Sequence, residues 1–164
     1  MTDHERALLL SVRPKYAESI LSGTKRAEIR RRRPAAIPGT PVIIYATKPV
    51  AAVLGTARIE RIDAGSPGEM WDRYANLMDI TRSNYGDYLY DVDTAYVLLL
   101  SHVYRLGVPL SLEDMRRTVD FHPPRSYSYM SRPALRTLVN GHASGPSLLA
   151  LLPNSQVVLD PNQD

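Results

Sequence analysis

The chain has 164 residues, 44% of them hydrophobic and 23% charged, with a net charge of +3 and a pI near 9.3. That length and balance fit one soluble domain, residues 1–164, able to bury its own core. No apolar run reaches the roughly 18 residues of a membrane span, and the start MTDHERALLL lacks the apolar core of a signal peptide. With no cysteine, disulfides, thiolate metal sites and cysteine nucleophiles are all excluded, and a cytoplasmic location is the default expectation.

The first element is an apolar strand over Ala7–Val12, followed by a turn at Pro14 into a short helix. Proline suits the first helical position, because its missing N–H has no intrahelical acceptor there. Tyr16, Ala17, Ile20 and Leu21 recur at helical spacing, and Gly23 can take the left-handed conformation that closes a helix. A charged strand follows over about Arg26–Arg32. In it Ala27 and Ile29 alternate with Glu28 and Arg30, so the two pairs face opposite sides. Four arginines, Arg30–Arg33, end it before Pro34, Pro38 and Gly39 break the chain.

Val42–Ala46 reads as a buried strand. After a turn at Lys48-Pro49, Ala51–Glu60 alternates as a long half-buried strand, with Gly55 marking a bulge or bend of the kind that closes small barrels. From Ser66 the period changes to 3.6, which predicts helices over Glu69–Met78 and Thr81–Tyr90. Ala95–His102 is the strongest strand, with YVLLL at its centre, and Val103–Leu106 extends it to Gly107. Ser111 caps a helix that ends near Val119, with Asp114 three residues on and Leu110 against Met115 as a staple. Phe121–Met130, rich in proline, serine and tyrosine, is expected to drape over the body. Pro133–Val139 forms another helix, Leu148–Leu152 docks, and Gln156–Leu159 adds a strand.

The stretch SVRPKYAESILSGTKRAEIRRRR, Ser11–Arg33, resembles the signature of the ASCH domain, a small β-barrel of the PUA-like superfamily. VIIYATKPVAAVLGTARIE, the tyrosine-rich run into YVLLL, and VPLSLEDMRRTVDFHPPRSYSYM fit the longer, stand-alone form. The resemblance spans a core of about residues 7–130 and leaves 131–164 as a C-terminal extension. It implies an α+β fold: one small mixed β-barrel of about five or six strands with flanking helices. It also implies a cleft for a nucleobase or a nucleic-acid strand, and some members resemble amidohydrolases of N4-acylated cytidines. In those, a lysine is paired with a threonine three positions later. The matching positions here are Lys25 and Glu28, so a glutamate, able to activate water, replaces the threonine.

Nucleic-acid or nucleotide binding, to RNA or single-stranded DNA, is the function expected from these residues. A net charge of +3 is modest for that role, and the clustering of Arg30–Arg33 below Lys25 and Arg26 carries more weight than the total. The expected contacts are Lys15, Lys25, Arg30, Arg31, Arg32 and Arg33 to phosphate, Tyr45, Tyr90 and Tyr127 as stacking surfaces, and Arg125 and Ser126 on the stiff Pro-Pro segment. The alternatives are a hydrolase using Lys25 and Glu28, either an amidohydrolase or a ribonuclease, and a protein-binding regulatory module. No metal and no cofactor are expected. The histidines lack ligand spacing, and no phosphate-binding glycine loop or serine-hydrolase elbow is present.

Overall fold

A computed structural model describes residues 5–153. Its strands are β1 (Arg6–Val12), β2 (Ala27–Arg30), β3 (Pro41–Ala46), β4 (Ala52–Gly65), β5 (Ala95–Ser111) and β6 (Tyr127–Ser131). Its helices are α1 (Pro14–Ser22), α2 (Pro67–Met78), α3 (Arg82–Tyr88), α4 (Leu112–Arg116), α5 (Arg132–Leu138) and α6 (Gly145–Leu149).

The helix ends follow their local chemistry. Gly23 sits at φ 86 and donates its N–H to the Ile20 carbonyl, closing α1. Ser66, Thr81, Ser111 and Ser131 each accept a backbone N–H three residues on, capping α2, α3, α4 and α5.

The six strands form one sheet in the order β2-β5-β4-β3-β1-β6, with β1 and β3 parallel and every other pair antiparallel. Period-2 alternation sends Leu8, Leu10, Val42, Ile44, Leu98 and Leu100 to one face, where Ala17 and Ile20 of α1 cover them. Ala7, Leu9, Ile43 and Tyr45 point to the other face, under α4, α5 and α6. At the β2 end of the sheet, Ala27, Ile29, Val97 and Leu99 pack against Met70, Tyr74 and Met78 of α2 and Tyr85 of α3. Both faces are covered, which explains why β1 and β3 read as continuous apolar runs rather than alternating ones.

The expected closed barrel is corrected: the sheet stays open, with β2 and β6 as its edges. β2 is only four residues long and ends at Arg30, so the predicted strand to Arg32 is too long by two. Across the seam the contact is made by a side chain, not by a strand ladder. Arg30 donates to the carbonyl of Ser11 on β1 at 2.9 Å and to the carbonyl and hydroxyl of Ser126 at 3.3 and 3.1 Å.

Two further differences have local causes. Within the segment expected to drape, residues 127–131 form β6, paired antiparallel with β1 from Arg6↔Ser131 to Leu10↔Tyr127. The Pro-Pro pair lies before that run and does not interrupt it. β4 and β5 run on to Gly65 and Ser111 because each supplies the other's ladder across three register shifts. One of these lies between Val53 and Gly55, at the glycine expected to mark a bulge. Leu148 and Leu152 dock in the core, whereas the strand expected at Gln156–Leu159 lies outside the described residues. Among the described residues no helix is long and apolar enough to cross a membrane.

Candidate functional site

The open seam is a cleft of about 1010 Å³. Its floor is β2. Because Ala27 and Ile29 are pulled into the core beneath α2, the strand turns Glu28 and Arg30 toward β1 and the Ser126 segment, and both are 6% exposed. Arg30 makes the three seam hydrogen bonds, and its Nη2 lies 4.0 Å from Glu28 Oε2. Glu28 Oε1 accepts the Ile29 N–H at 2.9 Å. Among the described residues, Glu28 Oε2 and Arg30 Nε are buried without a hydrogen-bond partner. A buried acceptor and a buried donor therefore sit side by side with unmet bonding capacity, a state that costs about 1–3 kcal/mol per group.

Lys25, in the turn before β2, is 1% exposed. Its Nζ donates to the Met78 carbonyl at the end of α2 and lies 4.8 Å from the Tyr16 ring centroid. Burial pushes the amine below its ordinary pKa, and the carboxylates of Glu28 and Asp79 oppose that push. Tyr88, the last residue of α3, forms the opposite wall with Asn84 and Asp87. Burial raises its phenol pKa, while Arg30 acts in the other direction.

The rim is basic. Arg31 Nη1 bonds the Tyr88 carbonyl at 2.8 Å and Asp91 Oδ1 at 2.6 Å, tying the end of β2 to the corner after α3. On the β1 side, Ser11 anchors the Pro-Pro segment twice: its N–H donates to the Ser126 carbonyl at 2.9 Å and its hydroxyl to the Pro124 carbonyl at 2.8 Å. Arg125 stands exposed between those anchors. In all, six basic side chains line the cleft against the two carboxylates Glu28 and Asp87.

The fold brings Lys25, Glu28, Arg30, Arg31, Arg32, Arg125, Ser126 and Tyr127 to this one cleft. Lys15 does not join them; it lines a separate hollow of about 430 Å³ with Thr24 and Asp79. Arg33 is exposed outside the lining, and its carbonyl accepts the Tyr127 hydroxyl at 3.4 Å. Tyr45 is 3% exposed on the opposite face of the sheet, since its neighbour Ile44 takes the wrapped side. Tyr90 lies outside the lining as well, 81% exposed beside Asp91. Sequence reasoning missed Arg13, Tyr16, Thr47, Asn84 and Tyr88. Only Arg13 carried a local signal, as the cation just before the proline that starts α1. The others arrive from elements whose placement only the folded chain decides. Among the described residues, no three of His, Cys, Asp and Glu come together as metal ligands.

A family model described as the ASCH domain matches residues 10–104. A protein of Zymomonas mobilis subsp. mobilis, named an ASCH domain-containing ribonuclease, is 31% identical over 143 residues, covering 85% of this chain and 96% of that protein. The crystal structure of ASCH from Zymomonas mobilis aligns with a TM-score of 0.77 at 29% identity, over 84% of this chain and 95% of that one. A serine-to-alanine variant of that Zymomonas protein gives a TM-score of 0.77 at 29% identity, over 85% and 97%.

Proposed function

The chain belongs to the ASCH domain family, and we propose that its seam cleft binds single-stranded RNA and cleaves it at the Lys25–Glu28–Arg30 floor. One observation carries this reading: Glu28 and Arg30 lie side by side at the bottom of an arginine-rimmed cleft, each with a buried polar atom that has no hydrogen-bond partner among the described residues. Groups left in that state bind a complementary ligand without first giving up protein hydrogen bonds. The name ribonuclease carried by the Zymomonas relative supports the same direction.

The chemistry follows from the residue types. Glu28 takes the proton of a ribose 2′-hydroxyl, the 2′-oxygen attacks the adjacent phosphorus, and the bond from phosphorus to the 5′-oxygen breaks. Arg30 faces the charge that gathers on the phosphoryl oxygens. Lys25, whose burial weakens its hold on a proton, protonates the departing 5′-oxygen. Glu28 thus serves as base and Lys25 as acid.

The test presents short single-stranded RNAs, and N4-acetylcytidine in parallel, to the parent and to Glu28→Gln. Cleavage of RNA by the parent, reduced by about 10²–10⁴-fold in Glu28→Gln while RNA affinity is kept, is the expected result. Turnover of N4-acetylcytidine with RNA left intact would move the assignment to the amidohydrolase reading. RNA binding with no turnover of either would leave a binding protein.

A further inference from the structure

Helix α3 turns one side to the core and another to the cleft. Tyr85 and the capping Leu89 are buried, and the Tyr85 hydroxyl donates to the Pro67 carbonyl at 2.6 Å. Asn84, Asp87 and Tyr88 line the cleft instead. Spacings of three and four residues make Asp87 and Tyr88 the neighbours of Asn84 on one side of the helix. Arg31 pins the end of α3 through the Tyr88 carbonyl, at 2.8 Å. The fold therefore holds this wall before any ligand arrives.

Asp87 is out of keeping with its surroundings. Six basic side chains line the cleft, and of its two carboxylates Glu28 is sealed at the floor, which leaves Asp87 as the exposed one. Elsewhere the chain pairs such groups: Glu18, Asp63 and Asp91 each bond an arginine. Among the described residues the Asp87 side chain makes no hydrogen bond and no ion pair, and neither does that of Asn84. A free carboxylate in a cleft that takes up phosphate repels the backbone of the ligand. What it favours is an N–H donor, and on a nucleotide those donors belong to the base.

The donor pattern selects among the bases. A carboxylate accepts two parallel N–H bonds, and guanine alone carries two adjacent donors, N1–H and the N2 amine, on its Watson–Crick edge. Cytosine and adenine set a ring acceptor beside their one amine. Uracil flanks its N3–H with two carbonyl oxygens, which a carboxylate repels. Asn84, one turn back along α3, supplies an amide N–H for the guanine O6, and Tyr88, 37% exposed, offers a stacking face.

We propose that Asn84, Asp87 and Tyr88 form a base-reading wall that selects guanine in the cleft, with Asp87 as the specificity-determining residue. This rests on the RNA reading above and adds a sequence preference to it. The chemistry at the Lys25–Glu28–Arg30 floor is the same for any base.

The probes are 2′-O-methylated oligouridylates, which lack the attacking hydroxyl. Their central base is uracil, cytosine, adenine, guanine, or hypoxanthine, which is guanine without its N2 amine. The proteins are the full-length parent, Asp87→Ala, Asn84→Ala, and Asp72→Ala, which removes an exposed carboxylate of α2 outside the cleft. Melting curves accompany each protein. Ratios of affinity between probes are compared within one protein, because removing a negative charge strengthens every complex alike. The parent is expected to bind the guanine probe about 10-fold more tightly than the uracil probe, with hypoxanthine between them. Asp87→Ala binds guanine and uracil probes equally, Asn84→Ala narrows the ratio, and Asp72→Ala keeps the parent's ratio. A parent that binds all the probes equally, or prefers cytosine or adenine, overturns the guanine wall and leaves the RNA reading standing. A guanine preference that survives in Asp87→Ala overturns it too, because other groups would then read the base. No binding of any probe by the parent at low salt removes the RNA reading itself, and the wall with it.

Discussion

Arg30 and Ser11 are joined at 2.9 Å, guanidinium to main-chain carbonyl, although three strands separate β2 from β1 in the order of the sheet. The bond crosses the place where a closed barrel would have a ladder. One side chain therefore holds the seam and also supplies the cation of the cleft floor. This couples stability to the site, and the coupling can be measured.

Arg30→Gln removes the seam bonds and leaves Glu28 buried without its cation. Breaking a buried pair by removing one partner typically costs about 3–5 kcal/mol, and each kcal/mol shifts the melting temperature of a domain this size by about 2–4 °C. A drop of roughly 6–20 °C is expected. The double variant Glu28→Gln/Arg30→Gln should recover part of it, because the stranded charge is gone. An Arg30→Gln protein that melts with the parent would show that the seam does not depend on the guanidinium.

Lys25 sets a dependence on alkaline pH. Its folded-state pKa lies below the ordinary 10.5, chiefly through burial. Between the folded value and 10.5 the unfolded chain binds more protons than the folded one, so stability rises as pH increases through that window. Below it, burying the ammonium weighs against the fold in full. Urea unfolding of the parent and of Lys25→Met across neutral to alkaline pH isolates the effect. The difference between the two should move in favour of the parent as pH rises, and a difference that stays flat to pH 10.5 would falsify the assignment.

Gly55 is required by close approach. A Cβ there would stand 2.5 Å from the Tyr104 carbonyl oxygen and would also run into the Leu21 side chain of α1. The carbonyl belongs to the β5 backbone and cannot swing aside. Gly55→Ala is expected to destabilise by about 1–3 kcal/mol, as overpacking does. Gly68→Ala meets no atom within 4 Å and serves as the comparison in the same denaturation series. Equal midpoints for the two variants would remove the packing argument.

Local chemistry was legible in the chain wherever one residue decides the outcome. Pro14 and Gly23 bound α1, Ser111 caps α4, and the alternation of Ala27 and Ile29 with Glu28 and Arg30 assigned the two faces of β2 before any fold was known. The arginine run after β2 and the Ser126 segment could be marked as chemistry-bearing for the same reason, since charge and proline stiffness are properties of the residues themselves.

What the sequence could not contain is distance between elements. Whether the sheet closes depends on how far β2 extends, and a four-residue strand leaves a seam where a longer one would have made a ladder. Tyr45, in the apolar run Val42–Ala46, and Tyr127, between two serines, are both expected from the sequence as stacking surfaces. Register alone sends Tyr45 into the core under α4 and α5 and leaves Tyr127 on the cleft. Tyr88 and Arg13 join the site because α3 packs beside β2 and the β1–α1 turn faces the Pro-Pro segment. Residue identity fixes local conformation and charge, but only the long-range pairing of strands determines which charges share a cleft and lose their water together.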